Sequence, residues 1–449
     1  MRFAANLALL FLLPFPMIGR ADIPNDVRQN MAARVELGEC PGIIVAMATP
    51  DGQWFATEGR TQGGQAGTAI APETVFEIGS ISKTFTTLLY QIAVDGGLVK
   101  PSDPVGGLLP GELKLPTLVA SIVLEDLATH HSGLPRMPNN FKPADPSNPY
   151  ADYAPSQLYD WLKTVQPEKV HRFAYSNAGM GLLGHVLELK TRSNFESLIR
   201  SWISTPLELT DTVVTLTSVQ RRRSATPHSV GRPIPMWDIP TLAGAGALRS
   251  TARDMLRWTS MQAGLIDSPL AAAMKKCHEP HAKTESSGGK IGLGWLLTPS
   301  KNGTIVWHNG GTGGTRSWVG FIRSEKTAVV VLANSDQVID DIGFHLLSSD
   351  RPLRTPQREI EVSQAALSKC EGEYALGTAK LIVKRMGKRL SVQLTGQSAN
   401  PAFAKSETEF FLRVVDARLT FEPGDDGRMK AVTLHQNGHE QKAPRIAVP

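Results

Sequence analysis

A serine and a lysine at helical spacing are the residues of this chain best suited to covalent chemistry. Ser80 and Lys83 lie in the segment Phe-Glu-Ile-Gly-Ser-Ile-Ser-Lys, which spans residues 76–83. A serine hydroxyl is a weak nucleophile at neutral pH, so a serine hydrolase must place a proton acceptor within hydrogen-bond reach of it. Because residues three apart share one face of a helix, the spacing predicts a serine nucleophile with its own base.

The residues that follow Ser80 predict the helix that would position this pair. Their apolar side chains recur with the period of a helix that has one buried face, and glycines at 96 and 97 end the pattern. These apolar residues are Ile81, Phe85, Leu88, Leu89, Ile92 and Ala93. Ser80 is therefore predicted in the first turn, where free backbone N–H groups and the helix dipole favour a developing oxyanion. Burial would lower the pKa of Lys83 from its ordinary value of about 10.4.

The same spacing occurs a second time, between Ser287 and Lys290. Glycines at both middle positions of that copy disfavour a helix, so a loop is predicted there. Taken alone, Ser80 would be interpreted as an ordinary helix N-cap and Lys83 as a solvated lysine. Further motifs along the chain favour the catalytic interpretation instead.

Two polar motifs follow in order, Tyr-Ser-Asn at residues 175–177 and His-Asn-Gly at residues 308–310. With the segment 76–83 they resemble the motifs of class C β-lactamases and related penicillin-binding serine hydrolases, which usually carry Lys-Thr-Gly in the third position. The resemblance covers residues 25–350. It implies a β-lactamase-like fold and an acyl-enzyme formed on Ser80.

The resemblance also assigns roles around the nucleophile. Lys83 and Tyr175 are the expected base pair, because a phenol beside an ammonium ionises more easily than one in water, and either residue can carry the proton. The amide of Asn177 can donate to a substrate carbonyl and accept from Lys83. Without the motif, Tyr175 would be interpreted as a core tyrosine and Asn177 as a turn residue.

Residues 304–308 predict a strand that runs into a glycine-rich bend at 309–314. A strand edge can supply a backbone N–H to an oxyanion and hydrogen bonds to an extended acyl chain. By resemblance, the N–H of Gly311 would join that of Ser80 in an oxyanion hole. We therefore name His308, Asn309, Gly310 and Gly311, with Asn177, as the expected substrate-binding residues. The alternative is a flexible hairpin tip.

His308 is the main departure from the family pattern. A lysine there would provide a permanent positive charge for a substrate carboxylate, whereas a histidine with a pKa of about 6.5 is mostly neutral at pH 7. Acyl transfer does not depend on that charge, and related peptidases and esterases with this fold also replace the lysine. Arg316 is the candidate for supplying the missing charge.

Composition narrows the class of protein further. Residues 1–21 are typical of a secretory signal peptide, which predicts a periplasmic or secreted protein, and the apolar stretch is too short for a membrane span. Without Arg2 and Arg20 the formal charge falls from +5 to +3, too small to indicate nucleic-acid binding. We predict no metal and no cofactor. The cysteines predict no disulfide framework, and the oligomeric state is left open.

The chain of 449 residues is long enough for two domains. The predicted fold class is α+β: a β-lactamase-like domain at 22–350, with an antiparallel sheet built from both of its ends and a helical lobe beside it. Besides 304–308, its strands are predicted at 43–48, 54–58, 293–297, 318–322 and 328–333, and Thr251 is predicted to cap a helix. A linker at 351–361 leads to a small all-β barrel or sandwich at 362–449, where short alternating runs are separated by turns. This last domain is predicted to restrict the cleft, bind a partner or serve as a packing module.

The sequence thus predicts an exported serine hydrolase with a small-molecule or peptide substrate. The leading hypothesis is a class C type β-lactamase that opens the β-lactam amide through an acyl-enzyme. Its nearest alternative acts with the same residues on D-alanyl peptides, other D-amino-acid peptides or esters, as His308 and the extra domain favour. A further alternative, from a different class, is a non-catalytic protein that binds peptidoglycan fragments.

Overall fold

The computed structural model describes residues 22–446, apart from residues 65, 169–170, 285–287, 398, 416 and 437–438. The predicted signal peptide at 1–21 and Ser287 lie outside the described residues. Within the described part of the chain, no helix is both long and apolar enough to cross a membrane.

The helices begin and end as follows: α1 Asn25–Glu36, α2 Ser82–Asp95, α3 Thr117–Ala120, α4 Leu124–Ala128, α5 Pro155–Leu162, α6 Asn177–Thr191, α7 Phe195–Leu198, α8 Ser218–Arg222, α9 Ala243–Gly246, α10 Ala252–Ala263, α11 Ala271–Cys277, α12 Asp340–Leu347 and α13 Gln364–Cys370. Short 3-10 turns cover Gly79–Ile81 and Val105–Gly107, and a π-helical stretch covers Ile199–Ser204.

The strands are β1 Gly42–Thr49, β2 Gly52–Gly59, β3 Val75–Glu77, β4 His228–Ser229, β5 Arg232–Pro233, β6 Arg249–Thr251, β7 Ala282–Lys283, β8 Lys290–Ile291, β9 Leu296–Ser300, β10 Gly303–Gly311, β11 Arg316–Ile322, β12 Thr327–Ala333, β13 Gly372–Leu376, β14 Ala379–Met386, β15 Arg389–Leu394, β16 Asn400–Ala404, β17 Glu409–Leu412, β18 Ala417–Pro423, β19 Met429–Gln436 and β20 His439–Pro444.

An eight-stranded antiparallel sheet joins the two ends of the first domain, in the order β2-β1-β12-β11-β10-β9-β8-β7. The early strand β1 pairs with the late strand β12, with Ile43 opposite Ala333. Both strands are apolar over nearly their whole length because helices cover both faces of the sheet. This confirms the predicted mixed domain with a sheet built from both ends.

Alternation along β1 separates two cores. Ile44 and Ala46 face the larger core, which includes α2, α6 and α10, whereas Ile43 and Val45 face a smaller core with α1 and α12. The helical lobe lies on the larger core. The side chains of α2 from Phe85 to Leu89 are buried there, so the helix that follows Ser80 is held from all sides.

Two strand predictions are corrected by the structure. The predicted strand at 293–297 is displaced, because Gly294 has a φ of 67° and Leu293 and Trp295 are buried in the larger core outside a strand. The glycine-rich bend predicted from 309 begins later, since β10 stays paired with β11 as far as Gly311. The first prediction rested on a run of apolar residues and the second on a high density of glycines. Neither feature reveals which residues form hydrogen bonds with a distant strand.

The C-terminal part forms a nearly closed, barrel-like antiparallel sheet whose strands β13 to β20 follow one another in chain order. Its two edges meet where Tyr374 bridges Arg445 and the Ile446 N–H donates to the Glu373 carbonyl at 2.8 Å. Aromatic and aliphatic side chains fill its interior. This confirms the predicted small all-β unit, and residues 351–363, before α13, form neither helix nor strand.

Candidate active site

The predicted nucleophile and base lie against each other. Lys83 Nζ is 2.8 Å from Ser80 Oγ and donates to the Ala245 carbonyl on α9 at 2.7 Å. Ser80 lies in the 3-10 turn Gly79–Ile81 rather than in the first turn of the α-helix, which begins at Ser82. The tighter turn leads directly into α2, so the two side chains still share one face.

The environment of Lys83 suits a base. The side chain is fully buried, with 0% of its surface exposed. Burial, and second the positive charge of Arg136, lower the pKa of Lys83 well below its ordinary value of 10.5. A neutral amine at this distance can accept a proton from a hydroxyl, and the hydrogen bond to Ala245 directs one N–H away from the serine.

Tyr175 lies beside this pair, but its ionisation differs from the prediction. Lys83 Nζ is 4.9 Å from the centre of the phenol ring, and the Arg136 guanidinium is 5.0 Å from it. Burial raises the pKa of Tyr175 to about 12, and this outweighs the Ser80 hydrogen bond and Arg136, which lower it. The expectation of an easily ionised phenol is therefore wrong, because burial of the phenol outweighs the groups that would favour its ionised form.

Asn177 is the first residue of α6, behind the N-cap Ser176. The predicted hydrogen bond from Lys83 to Asn177 is not formed among the described residues, since Lys83 bonds to Ser80 and Ala245. The amide Nδ2 instead lies 3.8 Å from Met137 Sδ, and Oδ1 is buried without a described partner. Asn177 remains at the site, lining a narrow slot beside Ser80.

His308 cannot provide the positive charge of the usual lysine. It is buried, with 2% of its surface exposed, and its ring centre is 6.3 Å from that of Tyr175. Burial, and second the charge of Lys83, lower the pKa of His308 to about 3. Arg316 lies opposite Gly311 on the neighbouring strand and lines the cleft at Ser80, so a fixed charge is present close to the predicted place.

The end of β10 packs directly on the segment that carries Ser80. A Cβ added to Gly310 would lie 2.0 Å from the Ile78 carbonyl oxygen, and one added to Gly79 would lie 2.7 Å from the Gly311 nitrogen. Only glycine permits this approach. It brings the Gly311 backbone beside Ser80, as the predicted oxyanion hole requires. Asn309 lines the same cleft, but its side-chain amide donates to Asp340 at 2.5 Å.

Two cavities meet at Ser80. A wide cleft of about 490 Å³ contains Tyr175 and three cationic side chains, Arg136, Lys290 and Arg316. A slot of about 30 Å³ on the other side is lined by Asn177 and by aromatic residues that include Tyr150 and Trp237. Gly311 borders both cavities. A substrate carbonyl at Ser80 would thus have the large, basic cleft on one side and the narrow slot on the other.

Several residues of the site were missed by the sequence analysis. Arg136 lies above Tyr175, and Ala245 accepts from Lys83, but both are distant in sequence from the motifs they contact. Glu77 belongs to the segment that carries Ser80 and is buried with 3% exposure. A carboxyl residue between the buried Phe76 and Ile78 was the available signal, since such a group needs specific partners.

Replacing Gly310 by alanine is expected to lower stability and activity together. The added methyl would lie 2.0 Å from the Ile78 oxygen and 2.4 Å from Ser317 Oγ, so β10 must move away from the nucleophile. We expect a loss of about 1–3 kcal/mol in urea unfolding and at least a ~10-fold lower kcat/KM. Gly107→Ala is the control, because its Cβ would contact nothing within 4 Å. Equal stability of the two variants would contradict this packing argument.

Comparisons with known proteins identify the family and the fold of this chain. A family model described as Beta-lactamase matches residues 27–345. Penicillin-binding protein 4* of Bacillus subtilis (strain 168) is 26% identical over 411 residues, covering 84% of this chain and 88% of that protein. A beta-lactamase of Yersinia enterocolitica is 25% identical over 367 residues, covering 73% and 90%. The solved class C beta lactamase from Rhodobacter sphaeroides shares the fold, with a TM-score of 0.61 at 24% identity, covering 70% and 94%.

Proposed function

Because the chain belongs to the beta-lactamase family, we propose that it is a serine hydrolase that forms an acyl-enzyme on Ser80. The observation that carries the proposal is the 2.8 Å contact between Ser80 Oγ and the buried Lys83 Nζ. A buried amine of lowered pKa next to a hydroxyl is the arrangement that activates a serine without a histidine. Export remains a prediction from residues 1–21.

In the proposed reaction, neutral Lys83 takes the Ser80 proton as Oγ attacks the substrate carbonyl carbon. The N–H groups of Ser80 and Gly311 bind the resulting oxyanion. When the carbon–nitrogen bond breaks, the leaving nitrogen takes a proton from Lys83 by way of the Tyr175 hydroxyl, which remains protonated because its pKa is about 12. A water molecule then cleaves the ester in the reverse sense and Ser80 regains its proton.

The two cavities support a placement for each half of the substrate. The leaving group must receive its proton from the side of Tyr175, so it occupies the wide cleft, and the acyl group extends toward the slot. Arg136, Lys290 and Arg316 in the wide cleft favour a leaving group that carries a carboxylate. The amide of a β-lactam, whose nitrogen lies next to a carboxylate, meets this description and is our leading substrate.

The second candidate is hydrolysis of D-alanyl peptides or of esters by the same residues. It is favoured by His308, which is neutral where the family usually has lysine. A D-alanyl leaving group also carries a carboxylate beside its nitrogen and would bind the same arginines. An ester substrate needs neither that carboxylate nor the arginines. The two candidates differ in substrate and share one acyl-enzyme.

A side-by-side rate comparison tests the proposal and ranks the candidates. Purified protein would be given a chromogenic cephalosporin, a D-Ala-D-Ala peptide and a nitrophenyl ester under one set of conditions. We expect multiple turnovers with at least one of them and the highest kcat/KM with the cephalosporin. A preference for the peptide or the ester selects the second candidate. Stoichiometric binding without turnover of any of the three would instead indicate a binding protein.

The pH dependence of kcat/KM is expected to follow Lys83. The base must be neutral, so the rate rises with pH through the lowered pKa of Lys83 and falls only when Tyr175 loses its proton near 12. His308, with a pKa of about 3, stays neutral from about pH 5 to about pH 9. His308→Asn should therefore leave unchanged the pH at which kcat/KM rises, whatever its effect on the maximal rate. A rise of kcat/KM centred at about pH 6.5 in the wild type that is absent from this variant would contradict the assignment of Lys83 as the base.

A further inference from the structure

Glu77 is a buried carboxyl group that joins three parts of the site. Its Oε2 accepts from the Thr312 hydroxyl at 2.8 Å, and its Oε1 accepts from the Trp237 backbone N–H at 2.6 Å. Thr312 follows Gly311, whose N–H is the expected oxyanion donor, and Trp237 lines the slot beside Ser80. Glu77 itself lies three residues before Ser80 in β3. One side chain thus fixes the distance between nucleophile, oxyanion donor and slot wall.

The contacts around this carboxyl reinforce the link. Thr315 Oγ1 donates to the Glu77 carbonyl oxygen at 3.2 Å and is 2.8 Å from Thr312 Oγ1. The next residue of the nucleophile segment, Ile78, accepts at its carbonyl from Ser317 Oγ at 2.7 Å. The loop between β10 and β11 and the start of β11 are therefore tied to the segment before Ser80 at successive positions.

The charged groups that act on Glu77 are few. Arg249, paired with Glu77 across β3 and β6, favours the ionised form, and Asp238, next to Trp237, opposes it. Burial is the largest influence and raises the pKa of Glu77 to about 7. Because burial favours the neutral form, the partners of Glu77 must suit a neutral carboxyl group as well as a carboxylate.

The hydrogen bonds allow both states. A carboxylate accepts from Thr312 and from Trp237 together. A neutral carboxyl group still accepts from Trp237, while its O–H donates to Thr312, whose own hydroxyl then donates to Thr315. A glutamine in the same place would repeat the second pattern with its N–H. The geometry is thus compatible with an uncharged side chain of the same length.

We propose that Glu77 is a positioning residue that holds the Gly311 N–H and the Trp237 loop against Ser80, and that this role depends on its two hydrogen bonds and not on negative charge. The inference rests on the proposed function, because it concerns the oxyanion donor of that reaction. In this role Glu77 contacts neither the substrate nor the Ser80 hydroxyl, but it fixes their positions relative to each other.

The experiment compares Glu77→Gln with Glu77→Ala on whichever of the three substrates the wild type turns over best. Glu77→Ala is expected to lower kcat about 100-fold with a much smaller change in KM, since a displaced oxyanion donor acts mainly on the transition state. Glu77→Gln should stay within about threefold of the wild type, and its pH profile from about pH 5.5 to about pH 8.5 should superimpose on that of the wild type.

Two further variants control the test. Thr312→Val keeps the shape of the side chain and removes one of the two bonds, so about a tenfold fall in kcat is expected, even if Glu77→Ala does not fold. Glu73→Gln changes another carboxylate close by in sequence, one that is half exposed and paired with Arg253, and should leave kcat unchanged.

The possible failures are distinct. Equal damage in Glu77→Gln and Glu77→Ala, or an inflection near pH 7 that is lost in Glu77→Gln, would overturn the claim that charge is dispensable. Normal kcat in both Glu77→Ala and Thr312→Val would overturn the positioning role. Turnover that survives replacement of Ser80 would overturn the proposed function itself.

Discussion

Replacing Ser80 by alanine is expected to reduce kcat/KM at least ~10⁴-fold on every substrate that the wild type hydrolyses. The variant loses the hydroxyl oxygen that lies 2.8 Å from Lys83 Nζ, so no acyl-enzyme can form there. The backbone N–H groups and both cavities stay in place, so substrate binding should survive. The measurement is the steady-state rate together with the dissociation constant for the same substrate.

The matched control is Ser287→Ala. Ser287 is the serine of the second copy of the spacing, in a sequence with two glycines that predicts a loop. We expect wild-type rates from this variant. A large loss there, with activity kept in Ser80→Ala, would mean that the catalytic serine was assigned to the wrong motif.

Replacing Lys83 by arginine is expected to lower kcat/KM by about 10²–10⁴. Arginine keeps much of the length but carries a permanent positive charge, because a guanidinium does not give up its proton in proteins, so it cannot act as the base. It would also be charged in a site that holds Lys83 at 0% exposure and lowers its pKa. The rate should be low at all accessible pH values, without the rise that neutral lysine provides.

Lys276→Arg provides the folding control for this substitution. Lys276 lies on α11, is half exposed and forms an ion pair with Asp95, which arginine can keep. Its activity and unfolding midpoint should both match the wild type. If Lys83→Arg retained activity within tenfold of the wild type, the lysine would act only through its charge, and the base would have to be sought elsewhere.

The fold was predictable where pattern and burial coincide. Alternation and apolar runs located β1, β2, β11 and β12, and the helical period located α2. These elements are long, and their burial follows directly from their sequence. The N-cap Thr251, whose side chain accepts from the Asp254 N–H, was likewise predicted from local chemistry.

From the sequence, the site was predictable only for the residues that lie in recognisable motifs. Ser80, Lys83 and Tyr175 were named from ordered motifs, and the structure brings them together. The protonation state of Tyr175 was not predictable, because it depends mainly on burial by segments that are distant in sequence. The partner of Lys83 was missed for a similar reason, since Ala245 is a backbone carbonyl and leaves no trace in sequence.

The strand that ends at the site illustrates the same limit. Alternation places His308 and Asn309 on opposite faces of β10, but sequence does not reveal what each face meets. The structure buries His308 near Tyr175 and pairs Asn309 with Asp340. The glycines at 310 and 311 could be read as flexibility from sequence, whereas the structure assigns them to close backbone packing.

The most direct test of the account is the location of the covalent adduct. The protein would be quenched during reaction with a penicillin, digested, and analysed by mass spectrometry alongside Ser80→Ala. The account predicts one penicilloyl group per chain, carried by Ser80, and none on the variant. An adduct on any other residue, or an adduct of equal yield on Ser80→Ala, would contradict it.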